Sequence, residues 1–213
     1  MFEMDNKQIS YWGRISETYD QKLERIFGKD LRRNLARILE KEHVAGDAVE
    51  FGCGTGYFTR VIARKATHVT ATDASPEMLR VARERLHGIN NISFQVENVE
   101  STSLPSEEFD TALMANMLHT LDDPQKALKE CYRILKKGGT LLVINYTEDG
   151  MGRVERTLIF FRFALNFGIP PKGNWPITSE RLRSWIGSAG FEIERMEMVE
   201  GKLNTFYVRA KKA

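Results

Sequence analysis

Hydrophobic and polar positions along this chain switch between a helical period and short apolar runs. Leu31, Leu35, Ile38 and Leu39 recur at helical spacing, which predicts an amphipathic helix ending near His43–Gly46. Residues 48–51 are a short apolar run with the length of a buried strand. A glycine turn, Gly52-Cys53-Gly54-Thr55-Gly56, follows it, then a helix predicted from about Gly56 to Lys65. His68 to Thr72 is β-branched and predicts a second strand that stops at Asp73. Ser75-Pro76 opens the next helix as N-cap plus N1 proline, with Met78, Leu79, Ala82 and Leu86 inward and Gly88 past its end. Residues 92–96 and 109–115 predict strands three and four, the latter almost continuously apolar, as a strand covered on both faces should be. Asp123-Pro124 repeats the capping device. The helix it opens points Ala127, Leu128, Cys131 and Leu135 inward and is predicted to close on Lys136-Lys137-Gly138-Gly139 before a fifth strand over 140–146.

After residue 146 the rhythm changes. An aromatic run at 158–167 and the Pro170-Pro171 pair precede a helix capped by Thr178, with Leu182, Trp185, Ile186 and Ala189 on one side and Gly190 at its end. Residues 191–199 and 203–209 then predict two strands around the turn Glu200-Gly201-Lys202. Alternating strands and helices that finish in a hairpin predict a doubly wound, Rossmann-like α/β fold. Its seven-stranded sheet is mostly parallel with a C-terminal antiparallel hairpin. One domain is expected over 1–213. It comprises a helical cover (1–30), a ligand-binding core (31–146), an aromatic segment (147–177) and a closing helix with hairpin (178–213).

Composition narrows the partners. A net charge of +2 gives no electrostatic case for nucleic acid, and none is expected as a partner. Cys53 and Cys131 lack metal-ligand spacing and cannot build a disulfide framework, so no metal site is expected. The first ten residues lack the basic and apolar regions of a secretory signal, and no apolar run reaches the roughly 18 residues of a membrane span. A cytoplasmic location is the expectation, and the oligomeric state stays open.

In a doubly wound sheet, ligands bind beyond the carboxyl ends of the strands. The glycine turn and Asp73 both fall there. Asp73 lies about 21 residues beyond Gly52, close to the spacing at which a carboxylate meets a ribose. Ser75 already fills the cap before Pro76, which leaves Asp73 available. The glycines alternate, and Glu50 stands before them. A dinucleotide turn would read G-x-G-x-x-G, and a carboxylate at the strand end would repel a pyrophosphate and favour a cation.

Glu50-x-Gly52-Cys53-Gly54-Thr55-Gly56 with Asp73 resembles the cofactor signature of class I S-adenosylmethionine-dependent methyltransferases. The segments 71–79, 109–119 and 133–142 resemble further motifs of that family, so that the likeness spans residues 45–146. Within the family, the chain is similar to the ubiquinone/menaquinone-biosynthesis-like branch of small-molecule methyltransferases, where an aromatic N-terminal segment, here Tyr11-Trp12 and Tyr19-Asp20, covers the cofactor. The resemblance implies S-adenosylmethionine as cofactor and S-adenosylhomocysteine as product. It implies that Glu50 binds the methionyl ammonium, that Gly52, Gly54 and Gly56 let the ligand approach the backbone, and that Asp73 holds the ribose. Ala74, Met78 and Val99 would lie at the adenine. Many relatives have Asp-Ala-Glu after the third strand where this chain has Asn98-Val99-Glu100. An Asn98 carbonyl oxygen can still accept from the adenine amine. Ala115 and Asn116 would face the methionine, with Asn116 equally readable as a turn residue.

Methyl transfer from a sulfonium is an in-line displacement that needs positioning and no metal. A base is needed only for a protonated acceptor, and His119 is the candidate; its alternative is a hydrogen-bonded rim histidine. Many relatives carry a second histidine where this chain has Thr120. The aromatic segment admits three readings: a core cap, a lid over an apolar acceptor using Tyr146, Phe160, Phe163 and Trp175, or an interfacial helix flanked by Arg153, Arg156 and Arg162 that makes peripheral membrane contact. The leading expectation is methylation of a small, apolar or lipid-like acceptor. The competitors are a protein or nucleic-acid methyltransferase and a non-catalytic nucleotide-binding module.

Overall fold

The structure is a computed structural model and describes residues 6–168 and 177–213. Helices α1 (Asn6–Ile15), α2 (Tyr19–Phe27) and α3 (Lys29–Lys41) lead into β1 (Asp47–Phe51). Then come α4 (Thr59–Ile62), β2 (His68–Asp73), α5 (Pro76–Arg85), β3 (Ile92–Val96), β4 (Phe109–Ala115), α6 (Pro124–Ile134) and β5 (Leu135–Tyr146). Helices α7 (Arg153–Phe167) and α8 (Ser179–Ser188) precede β6 (Phe191–Val199) and β7 (Thr205–Lys212). Among the described residues the strands form one seven-stranded sheet in the order β3-β2-β1-β4-β5-β7-β6. The pairs among β1 to β5 are parallel, and β7 runs antiparallel to both β5 and β6. This is the mostly parallel sheet with a closing hairpin that the alternation predicts.

The capping signals act as local chemistry dictates. Ser75 Oγ accepts from Met78 N, Asp123 Oδ1 from Lys126 N, and Thr178 Oγ1 from Arg181 N, each satisfying a donor that the first helical turn leaves unpaired. On one side of the sheet, α2 to α4 and part of α7 bury Leu35 and Leu39 completely. On the other, α6 and α8 bury Leu128, Ile134, Leu182 and Ile186. Each such side chain contributes about 2 kcal/mol by leaving water.

Several boundaries differ from expectation: α3 ends at Lys41 and the last strand runs over Thr205–Lys212, and two further differences have a local cause. Regular α-helix after the glycine turn is confined to Thr59–Ile62, because Gly56 to Phe58 are held in turns, with Gly56 N donating to Cys53 O. Lys136 to Gly139 do not close α6 but already lie in β5. The Glu107 and Glu108 amides donate to the Arg133 and Ile134 carbonyls, and Phe109 pairs with Leu135, so the chain enters the sheet at Leu135. An irregularity between Phe109 and Thr111 in the pairing absorbs the extra residues, with Gly138 at φ +73°.

Candidate functional site

A cavity of about 110 Å³ lies beyond the carboxyl ends of β1, β2 and β4, beneath α1 and α2. Gly52 and Gly54 form its floor, Asp73, Ala74 and Met78 one wall, and Val99, Ala115 and Asn116 another, with Tyr19 overhead. Nine of the residues expected to bind cofactor therefore meet in one place. Such a volume is below the roughly 300 Å³ at which ligand pockets begin, with Ile9 and Trp12 of α1 and Tyr19 of α2 closing over it.

Asp73 organises the turn. Its Oδ2 accepts from Gly54 N and its Oδ1 from Ser75 N, both at 2.9 Å. Each oxygen keeps a second acceptor position. Burial raises this carboxyl above the ordinary carboxylate range, against the amides of Ser75, Gly54 and Ala74, which favour the charged form. The glycines divide the work. A Cβ on Gly54 would meet nothing within 4 Å, which leaves that backbone open to the cavity at φ +55°. A Cβ on Gly56 would stand 2.6 Å from Leu86 Cδ1, so Gly56 serves close packing against α5 and does not line the cavity.

Glu50 is fully enclosed. Val49 and Phe51 pack toward α6, so strand alternation turns Glu50 toward α4, where Thr59 Oγ1 donates to its Oε2 at 2.5 Å. Burial pushes its carboxyl up to about 8, the Thr59 bond opposing and the Asp73 charge adding. Burial thus biases Glu50 toward its protonated form in the ligand-free site, and a bound cation would favour the charged form that the sequence implies.

Asn116 carries the clearest mark of a ligand. It holds φ +55°, a region that asparagine tolerates better than most non-glycine residues, and its amide donates to Ile144 O at 2.6 Å. Its Oδ1 is buried with no hydrogen-bond partner. A buried acceptor left open on a cavity wall fits a donor such as an ammonium. Asn98, in contrast, caps the following turn, its Oδ1 accepting from Glu100 N at 2.9 Å. It stands beside the wall that Glu97 and Val99 form.

The cover is a chain of rings. Tyr11 meets Trp12 at 4.9 Å, Trp12 meets Tyr19 at 6.1 Å, and Tyr19 meets Phe167 of α7 at 5.9 Å. Trp12, with Ile9 one helical turn before it, reaches the cavity, while Tyr11 turns into the core. Helical spacing of Ile9 and Trp12 was the available signal for that assignment. Asp20 ties the cover to the glycine turn by accepting from Thr55 Oγ1 at 3.0 Å and pairing with Arg32 at 2.6 Å and with Arg85. Burial alone would raise its carboxyl; the two guanidiniums and the Thr55 hydroxyl hold it below the usual range. Phe51, Ser75, Glu97, Met117, Thr120 and Leu121 complete the lining; Met117 and Thr120 fall in or beside the motif-like segment 109–119, whereas Glu97 and Leu121 had no motif to announce them.

His119 follows β4 in a short turn. Its Nδ1 donates to Asn145 Oδ1 at 3.2 Å, and its ring lies 5.7 Å from Tyr146. Burial lowers the imidazole to about 4, against the Asn145 bond, so the ring is neutral at physiological pH. Tyr146 is buried against Phe27 at 5.2 Å. Phe163 sits at the inner edge of α7 beside Phe167, whereas Phe160 stands 58% exposed on its outer side, away from the cavity. Trp175 lies outside the described residues. No group of three or more potential metal ligands occurs among the described residues.

Comparison with known proteins agrees with this geometry. Residues 49–143 match the family model described as a methyltransferase domain. A demethylmenaquinone methyltransferase of Tropheryma whipplei is 31% identical over 163 residues, covering 75% of this chain and 65% of the relative. A ubiquinone biosynthesis O-methyltransferase of Xylella fastidiosa is 30% identical over 161 residues, covering 68% of this chain and 61% of the relative. The chain thus spans under two thirds of the length of these relatives. A Thermotoga maritima S-adenosylmethionine-dependent methyltransferase superposes with a TM-score of 0.75 at 23% identity, over 97% of this chain and 100% of that one, a likeness of fold.

Proposed function

We propose that the chain, which carries a match to a methyltransferase domain over residues 49–143, is a class I S-adenosylmethionine-dependent methyltransferase whose cavity binds S-adenosylmethionine and which methylates a small, apolar acceptor. The observation that carries this reading is the open acceptor of Asn116 on the same cavity wall system as Asp73 and Gly54. Asp73 would accept from the ribose hydroxyls with the oxygen positions that Gly54 and Ser75 leave free. Asn116 Oδ1 would accept from the methionyl ammonium, and Glu50, buried against Thr59, would supply negative charge from beneath the glycine turn once the cation is present. Ala74, Met78 and Val99 offer apolar contact to a purine, with Asn98 at its edge.

When bound, S-adenosylmethionine supplies a methyl group activated by a sulfonium. The chain's own contribution is positional: the floor and walls fix one partner, and α1 and α2 exclude water. Neutral His119 has the protonation state of a base, and its hydrogen bond to Asn145 orients the ring. It would take a proton from an acceptor whose nucleophile carries one.

The quinone-pathway relatives and the aromatic inner face of α7 support an apolar acceptor. Phe163 and Tyr146 would contact it. Isothermal calorimetry tests the reading. S-adenosylmethionine and S-adenosylhomocysteine should both bind, and NADH should not. Binding of NADH with no response to either sulfur ligand would overturn it.

A further inference from the structure

Seven large apolar side chains are exposed among the described residues, and five belong to α7. Val154, Leu158, Phe161 and Leu165 follow one another at i, i+4, i+7 and i+11, which sets them in a single stripe along the helix. They are 73%, 52%, 58% and 84% exposed. Ile159, Phe163 and Phe167 make the opposite edge and pack into the core. The helix is therefore apolar on both sides, and only one side has a partner within the fold. Contiguous exposed apolar surface of this kind marks an interaction site.

Charge selects the partner. Arg153 and Arg162 stand about a quarter turn to either side of the stripe, and among the described residues neither makes an ion pair. Arg156 turns away to Glu148 at 3.3 Å, and the helix's one carboxylate, Glu155, is engaged by Gly152 N at its N-terminus. A two-fold contact with a second copy would set one stripe on another and bring these guanidiniums toward their symmetry mates. An anionic bilayer accepts both features at once: the stripe enters the acyl boundary while the guanidiniums reach up to the phosphates.

We infer that the outer face of α7 is a docking surface for anionic membrane, on which the protein lies with Val154, Leu158, Phe161 and Leu165 in the headgroup–acyl boundary. The surface goes beyond the methyl-transfer reading and does not depend on it. Only one added consequence rests on that reading. Phe167 on the inner edge of the same helix meets Tyr19 at the cavity, so an apolar acceptor dissolved in the bilayer would enter beside the site's own cover.

Flotation of the full chain with vesicles tests the inference. Phosphatidylcholine–phosphatidylglycerol vesicles should carry the protein, phosphatidylcholine alone much less, and added salt should release it. The double substitution Phe161→Ser/Leu165→Ser, at exposed positions that belong to no part of the buried core, should weaken binding by at least about tenfold, a change of about 1.4 kcal/mol. Arg153→Gln/Arg162→Gln should abolish the preference for anionic lipid. Failure of the wild type to float, or flotation unchanged by the serine pair, overturns the inference. So does a wild-type dimer that the serine pair dissociates, which would assign the stripe to a second copy. Calorimetry with S-adenosylhomocysteine on the same proteins keeps the two readings apart: vesicle binding without ligand binding would sink methyl transfer and leave this surface standing.

Discussion

Asp73 Oδ2 accepts from the backbone amide of Gly54 at 2.9 Å, which fastens the end of β2 to the glycine turn after β1. The same carboxylate takes Ser75 N on its other oxygen at 2.9 Å. One side chain thus shapes the floor of the cavity and presents acceptors to whatever fills it.

Asp73→Ala removes both functions. Two hydrogen bonds to a charged acceptor, at about 1.5 kcal/mol or more each, predict a loss in S-adenosylhomocysteine affinity of at least about 100-fold. Asp73→Asn keeps one acceptor and should fall between. Calorimetry on both variants measures this, and an affinity within about threefold of wild type in Asp73→Ala would remove the ribose assignment.

Gly54→Ala and Gly56→Ala should separate binding from folding. Both positions have positive φ, which costs an alanine about 1 kcal/mol. Gly56→Ala also drives a methyl to 2.6 Å from Leu86 Cδ1, adding about 1–3 kcal/mol of overpacking. Urea denaturation should show the larger loss in Gly56→Ala. Gly54→Ala, whose methyl enters the cavity, should show the larger loss of ligand affinity in calorimetry.

Two buried groups give stability opposite slopes with pH. Glu50 holds its proton up to about 8, so the native state binds more protons than the unfolded state above the ordinary carboxylate pKa, and stability falls as pH rises toward 8. His119 at about 4 does the reverse: its contribution is complete above 6.5 and is lost as pH falls. Between pH 6.5 and 8 the Glu50 slope stands without opposition from His119. Glu50→Gln should flatten the stability profile of the ligand-free protein in that window, as read by denaturant midpoints. A profile unchanged by the substitution would show that Glu50 is ionised throughout.

His119→Asn tests the base. With an acceptor that carries a proton on its nucleophile, kcat should fall by about 100-fold or more while S-adenosylhomocysteine affinity stays the same. Unchanged kcat would leave the imidazole a packing role against Asn145 and Tyr146.

What the sequence by itself determined was everything governed by near neighbours in the chain. The caps at Ser75, Asp123 and Thr178 are chemistry within three or four residues, and each formed as expected. Apolar runs broken by glycine and proline gave the strand and helix order, and the Glu50-to-Asp73 spacing placed the site at two strand ends. Tertiary structure alone decided what depends on which distant segment fills a given space. Trp12 and not Tyr11 faces the cavity because α1 packs against α5 with that rotation. Gly56 answers to Leu86, thirty residues on, and the Glu50 carboxyl is raised because burial shuts water out, against the Thr59 hydrogen bond. The aromatic run at 158–167 was legible as unusual, but its inner and outer faces were not. The core takes Ile159, Phe163 and Phe167, and that choice leaves Val154, Leu158, Phe161 and Leu165 in water. Burial belongs to the packed molecule, and periodicity reports only which residues share a face.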